Sequence, residues 1–210
     1  MWTNFFDEIL VVNLLKREDR LLQTTKDFEE YEIPFRRVSA IEDNEQGARG
    51  LRDTMLNIFQ EAIEKEHRHI LVFEDDVKII VEKWWFDNTM ENIIAQLPEN
   101  YHLCFLGGQM SVRPSHFHSP NLLPVIKYFS THSVIYSLQG MKEIIARGLE
   151  YPIDNWFVKE IEILGHCYTC HPLLCSQYAG FSDIGKNEID WHPFMVPRHE
   201  QKIAEMNGRR

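Results

Sequence analysis

The chain has 210 residues, of which 44% are hydrophobic and 12% aromatic, enough to fill the core of one ordinary domain and too apolar for intrinsic disorder. Twenty-two basic against thirty-two acidic residues give a formal charge of −10. That balance argues against a nucleic-acid partner, whose phosphates call for clustered Lys and Arg, yet it leaves room for a diphosphate held by a divalent metal and a few local donors.

No run approaches the ~20 apolar residues that span a bilayer. The opening Met1-Trp2-Thr3-Asn4-Phe5-Phe6-Asp7 lacks the basic and apolar regions of a signal peptide. A cytoplasmic protein with no transmembrane segment is therefore expected. Without repeats or a Gly/Ser linker, one domain over 1–210 is expected, with a core at about 8–185 and a polar C-terminal tail, 186–210, frayed from Asp190.

In chain order, Glu8 to Leu14 is an apolar run that suits a strand buried on both faces. Leu21, Leu22, Phe28 and Tyr31 among charges predict a helix over 18–31, and Pro34 ends it. Phe35 to Ala40 reads as a second strand. Leu51, Met55, Ile58, Phe59, Ala62 and Ile63 make one helical stripe within 47–66. His69 to Phe73 is a third buried strand. Trp84 to Leu97 predicts a helix closed by Pro98, with one ring of the Trp84–Trp85 pair in the core. Tyr101 to Leu106 is a strand stopped by Gly107-Gly108, and Met110 to Asn121 a loop fit for a lid or acceptor wall. A strand over 132–138, helices over 140–149 and 153–164, and a last strand over 166–174 complete the pattern. Alternating strands and helices imply an α/β fold with a mostly parallel sheet covered on both faces. Ligands then sit at the carboxyl ends of the strands, here Asn13 to Arg20, Ala40 to Asn44, Glu74 to Asp76 and Gly107 to Met110.

The sharpest feature is Glu74-Asp75-Asp76, three carboxylates closing the apolar run Leu71-Val72-Phe73. Unpaired charge there is costly to bury, so the triplet either reaches water as an acidic turn or holds a cation. In extended chain Glu74 and Asp76 share a side and Asp75 faces the other. Two hard oxygen ligands on one side suit Mg²⁺ or Mn²⁺ completed by water and substrate phosphate. Cys104, Cys167, Cys170 and Cys175 read as reduced core thiols. Cys167-Tyr168-Thr169-Cys170-His171 matches a haem-attachment string and half of a zinc motif, but the buried-strand reading is preferred over both.

Six segments in order give the chain a further likeness. They are Val11 to Arg20, Val38-Ser39-Ala40-Ile41, Gly50 to Met55, Leu71 to Val77, Thr131 to Ile145 with Tyr151-Pro152-Ile153-Asp154, and Pro172 to Gln177 with Ser182-Asp183-Ile184. Over roughly 8–185 they resemble glycosyltransferase family 25, which includes lipopolysaccharide and collagen sugar transferases. The chain departs from the family at Met55, where the family has His, and at Asp53, where it has an apolar residue. The resemblance implies a GT-A fold, Rossmann-like, and a metal-dependent, inverting hexosyltransferase that uses a nucleotide-diphosphate sugar. The acceptor would be a glycan, lipid-linked or protein hydroxyl. Asp76 would be the main Mn²⁺ or Mg²⁺ ligand, and Glu74 would reach the metal, its water or the ribose, with Asp75 beside them at the donor site. Asn13 would meet the nucleotide base or ribose, and Arg17, Arg20 or Arg52 a phosphate, Gly50 allowing close backbone approach. Asp154 is either the general base for the acceptor hydroxyl or a helix cap. Asp183 either closes the site as the next base or sits in a turn. His132, His171 and His192 are candidates for a further metal ligand. The competing functions are a nucleotidyltransferase, which would carry a Gly-rich loop where Leu14-Leu15-Lys16-Arg17-Glu18 stands, and a catalytically silent sugar or nucleotide-sugar binder on the same fold.

Overall fold

The computed structural model describes residues 1–208. After a short 3₁₀ turn at Trp2–Phe5 come β1 (Glu8–Asn13), α1 (Glu18–Glu30), β2 (Arg36–Ser39), α2 (Gly47–Glu64), β3 (His69–Glu74), β4 (Val77–Ile79) and α3 (Lys83–Gln96). There follow β5 (Leu103–Phe105), β6 (Gln109–Met110), β7 (Leu122–Pro124), β8 (Tyr128–Phe129), β9 (Ser133–Ser137), α4 (Leu138–Arg147) and α5 (Ile153–Glu160). The chain closes with β10 (Cys167–Cys170), β11 (Cys175–Gln177), β12 (Gly180–Ser182), β13 (Asn187–Ile189) and α6 (His192–Met206).

Seven strands form the central sheet in the order β2-β1-β3-β9-β5-β10-β7. The pairs β1–β2, β1–β3 and β5–β10 are parallel, while β9 and β7 run against their neighbours. Side chains alternate between two cores, as a pleat with both faces covered requires. Leu10, Val12, Ile70 and Val72 join Met55, Ile58 and Phe59 of α2, Met141 and Ile144 of α4, and Phe157 of α5. Ile9, Val11, Leu71 and Phe73 join Phe28 of α1 and Phe86, Met90 and Ile93 of α3. This is the Rossmann-like α/β architecture of GT-A type, with helices on both faces.

Four details differ from the sequence reading. The 132–138 strand is antiparallel, so its amino end rather than its carboxyl end reaches the ligand edge, and it brings Thr131 there. The 166–174 strand stops at Cys170, because His171-Pro172 turns the chain toward β11, which pairs with β4 just beyond the acidic triplet. The tail is not frayed from Asp190: α6 buries Met195, His199 and Ile203, with Ile203 in the same core as α2. Both Trp84 and Trp85 face out, 66% and 43% exposed, stacked on each other, since Phe86, Met90 and Ile93 take the buried face of α3.

Gly107, directly after β5, lets three segments meet. A Cβ there would lie 2.1 Å from the Cys175 carbonyl oxygen and 2.8 Å from Nε2 of His132. Gly107→Ala is therefore expected to destabilise by about 1–3 kcal/mol, in the range of overpacked cores, measured by urea unfolding. A fully stable variant would show that β11 shifts freely.

Candidate active site

The carboxyl ends of β1 and β3 lie side by side, with the amino end of β9 next in the sheet. Past β1 the chain turns at Leu14–Arg17, where the Arg17 amide donates to the Leu14 carbonyl at 2.9 Å, and α1 then points its first turn back at the triplet. Glu74 ends β3, its amide donating to the His132 carbonyl at 3.0 Å. Asp75 and Asp76 form the tight turn into β4. On the far side, the Tyr178 amide donates to the Asp76 carbonyl at 2.8 Å and fixes the chain beyond β11 over the turn.

The three carboxylates have separate surroundings. Asp75 accepts from Asn13 Nδ2 at 2.6 Å and Arg20 Nη1 at 2.9 Å. Glu74 accepts from the Thr131 hydroxyl at 2.7 Å. Asp76 accepts from Gln177 Nε2 at 3.1 Å and Arg20 Nη1 at 3.3 Å, its side chain 18% exposed. Among the described residues, Arg20 is the only cation ion-paired with the triplet. One guanidinium against three carboxylates leaves the cluster short of positive charge. Burial, then the nearby Asp76, pushes the Glu74 carboxyl up to about 8, and burial raises Asp76 despite Arg20. A pair of part-buried oxygen ligands wanting a cation fits a hard divalent metal.

Glu74 and Asp76 stand at the junction of two adjoining cavities. The first, about 100 Å³, is walled by Val12, Leu14, Lys16, the 40–43 loop and Asp183. The second, about 350 Å³, is walled by Gln109, Thr131, Asp154, Gln177, Tyr178 and Trp191. Arg20, Leu51, Glu74, Asp76, Ser182 and Ile184 belong to both.

Of the residues singled out in the sequence, Arg20, Glu74, Asp76, Asp154 and Asp183 all line these cavities, and Asp75 lines the first. Asn13 lines neither cavity. It is 1% exposed, and its amide nitrogen is spent on Asp75 and, at 2.9 Å, on the Arg17 carbonyl. It positions Asp75 and the turn instead. Arg17 is engaged by Asp183 at 2.6 Å and Asp19 at 2.9 Å; it lines neither of these cavities but shares a third, of about 440 Å³, with Arg20, Asp75 and Asp76. Arg52 lies outside both: it pairs with Asp53 at 2.5 Å and lies over the Tyr151 ring. The close approach that Gly50 allows is to the chain's own Ile41 carbonyl, 2.3 Å from where a Cβ would be. Met55 is core and lines neither cavity.

Asp154 is not the cap of α5, a place Pro152 holds; it lies in the first turn and accepts from the Asn155 amide at 2.8 Å. Its charge is one of those that raise Glu74. Asp183 differs. Burial would raise it, but the hydrogen bond and charge of Arg17, with Lys16, outweigh that and hold it below the ordinary carboxylate range. Of the histidines, His132 is buried behind the triplet, and burial lowers it to about 3. His192 contacts the Ser176 hydroxyl at 3.0 Å, and His171 faces His199. None of the three lines the cavities with Glu74. The four cysteines are free and buried, their thiols pushed up by burial, which suits core packing and not ligation.

Sequence reasoning missed the roles of Thr131 and Gln177, although both fall inside the segments that carried the family resemblance. It also missed the wall formed by Tyr178 and Trp191, which no local pattern marks as belonging to a site.

No protein-family model matches the chain. Among solved structures, A197 from STIV is similar with a TM-score of 0.50 at 10% identity, over 86% of this chain and 91% of that one. A glycosyltransferase involved in the glycosylation of the major capsid of PBCV-1 aligns with a TM-score of 0.49 at 17% identity, over 77% of this chain and 79% of that one. A putative glucose-1-phosphate thymidylyltransferase from Bacillus anthracis, solved with sucrose, aligns at 0.41 and 13% identity, over 76% of this chain and 65% of that one. At these identities the likeness is one of fold.

Proposed function

We propose that the protein is a glycosyltransferase that moves a hexose from a nucleotide-diphosphate donor to an acceptor hydroxyl, with a divalent Mn²⁺ or Mg²⁺ and inversion at the sugar carbon. One observation carries this reading: Glu74 and Asp76, short of positive charge, stand where two cavities meet, with Asp154 on the wall of the second. A two-substrate transfer needs that arrangement, a charge-handling centre between two compartments.

Asp76 and Glu74 would hold the cation. When bound, it neutralises charge growing on the leaving diphosphate. The first cavity suits the nucleotide, with Lys16 and Arg20 as donors to phosphate. Arg17 holds Asp183, and Asn13 holds Asp75, so both act by keeping the turn after β1 in place. The second cavity suits the acceptor, a glycan, lipid-linked or protein hydroxyl. Inversion requires attack from the side opposite the leaving group, and hence a base on that side. Asp154 takes the hydroxyl proton as the oxygen–carbon bond forms. Asp183 is the poorer base, since its ion pairs with Arg17 and Lys16 stabilise the charged form. The turn after β1 contains no glycine, which separates it from the Gly-rich phosphate loop that a nucleotidyltransferase needs.

The reading predicts that metal and nucleotide bind together, because two carboxylates leave most of an octahedral shell to water and phosphate. Titrating Mn²⁺ calorimetrically, with and without a nucleoside diphosphate, is expected to show at least tenfold tighter metal binding with it, about 1.4 kcal/mol of coupling. Equal Mn²⁺ affinity in both titrations would sink the donor-site assignment.

A further inference from the structure

His171, His199 and Glu200 place their ligand atoms within 4.8 Å of one another, and none of the three lines the cavities that hold Glu74 and Asp76. We infer that these three side chains form a second, structural metal site, of zinc type, that fastens α6 to the end of β10.

Nδ1 of His171 stands 3.1 Å from Nε2 of His199. Two nitrogens bound tetrahedrally to zinc at ~2.0–2.1 Å lie roughly 3.3 Å apart. The two imidazoles are thus already spaced as neighbouring ligands, and the Glu200 carboxylate approaches from the solvent side as a third. Two nitrogens and one carboxylate suit Zn²⁺, with water in the fourth position, whereas the all-oxygen pair at Glu74 and Asp76 suits Mg²⁺ or Mn²⁺.

His199 is fully buried, its Nδ1 has no partner among the described residues, and its Nε2 meets His171.

The surrounding structure supplies a reason for the site. α6 is a poor helix alone: no side chain caps its start, and Pro197 inside it removes a backbone hydrogen bond. Its partner side is firm. The His171 amide donates to the Asn121 carbonyl at 3.0 Å, Asn121 Nδ2 donates back to the His171 carbonyl at 3.0 Å, and Phe117 packs edge-on against the His171 ring. Metal at this point ties α6, β10 and the 111–121 loop together. Trp191, on the second cavity, immediately precedes α6, so the same staple holds that wall.

The test uses the full chain without a histidine tag, stripped with chelator and titrated with Zn²⁺ against a chromophoric competitor, with thermal melts in parallel. The expected result is one Zn²⁺ per chain, a higher melting temperature with Zn²⁺, and slower amide exchange across α6. Because losing even an outer-shell partner typically costs 10–100-fold in metal affinity, Glu200→Gln is expected to weaken Zn²⁺ binding at least about 10-fold, and His171→Gln more. His199 is too buried for its loss to be informative, so these two carry the test. Asp76→Asn is expected to bind Zn²⁺ as the wild type does, which makes the result independent of the proposed transferase activity. Wild-type affinity in both His171→Gln and Glu200→Gln, loss of the Zn²⁺ effect in Asp76→Asn, or no stoichiometric binding would each overturn the assignment.

Discussion

Asp76→Asn is expected to abolish turnover and the Mn²⁺-dependent binding of a nucleotide sugar while leaving the metal-free protein as stable as the wild type or more so. The side chain keeps its size, and an amide oxygen still accepts from Gln177 Nε2, now 3.1 Å from Asp76. What disappears is a charge that the fold does not need. In the wild type, Asp76 is the largest charge acting to raise Glu74, and Glu74 in turn has its carboxyl raised to about 8 from an ordinary 4.5. An acid whose pKa is raised on folding binds more protons in the folded state, so its contribution to stability is greatest below about 4.5 and is lost as pH climbs through about 8. Removing the Asp76 charge lowers that penalty. Stability of the metal-free variant should therefore fall less than wild type between these two pH values, as read by denaturant melts. Loss of activity together with retained or gained stability is the signature of a charge placed for a ligand. A variant that unfolds instead would mark Asp76 as structural. Thermal shift supplies the binding half of the test: at 100 times its Kd a ligand stabilises by about 2.7 kcal/mol, and Asp76→Asn should show none of this with nucleotide sugar and Mn²⁺.

The acidic triplet was legible in the sequence because its signal is local. Carboxylates at the end of an apolar strand have few explanations, and the period of an extended chain places Glu74 and Asp76 together with Asp75 opposed. The structure keeps part of that split: of the three only Asp75 meets Asn13, and Glu74 and Asp76 line both cavities, but Asp75 shares Arg20 with Asp76 and also lines the first cavity. Strands β1, β2, β3 and β5 were legible for the same reason, each a short apolar run bounded by turn residues or charges. What could not be read depended on partners distant in the chain. Arg17, Arg20 and Arg52 look alike as exposed basic residues near strand ends, but Arg20 faces the triplet, Arg17 is taken by Asp183, 166 positions away, and Arg52 is turned out toward Tyr151. The direction of β9 was equally hidden. An apolar strand reads the same both ways, and only its place between β3 and β5 decides it. α6 was misjudged because its apolar residues are sparse and interrupted by Pro193 and Pro197, while its burial comes from Met195, His199 and Ile203 meeting other elements.

Asp154→Asn is expected to separate the chemistry from the donor site. If Asp154 is the base, its loss costs about 10²–10⁴ in rate, equivalent to about 3–5 kcal/mol of barrier. Donor binding should not change, because Asp154 lines the second cavity and not the first. Structure alone predicts much less. Pro152 holds the capping position of α5, and the Asn155 amide, 2.8 Å from the Asp154 carboxylate, can donate equally to an Asn side-chain oxygen. Only the favourable meeting of a negative charge with the first turn of the helix is lost, about 0.3–1 kcal/mol. The two effects therefore differ by several-fold in energy and appear in different measurements, kcat in one and denaturation in the other. Asp183→Asn provides the contrast. It breaks the 2.6 Å pair with Arg17 on the donor side, so it should weaken nucleotide-sugar binding rather than kcat. Should Asp154→Asn keep full kcat while Asp183→Asn loses it at saturating donor, the base would lie in the first cavity. The attack would then come from the same face as the leaving diphosphate, and inversion would have to be abandoned along with the assignment.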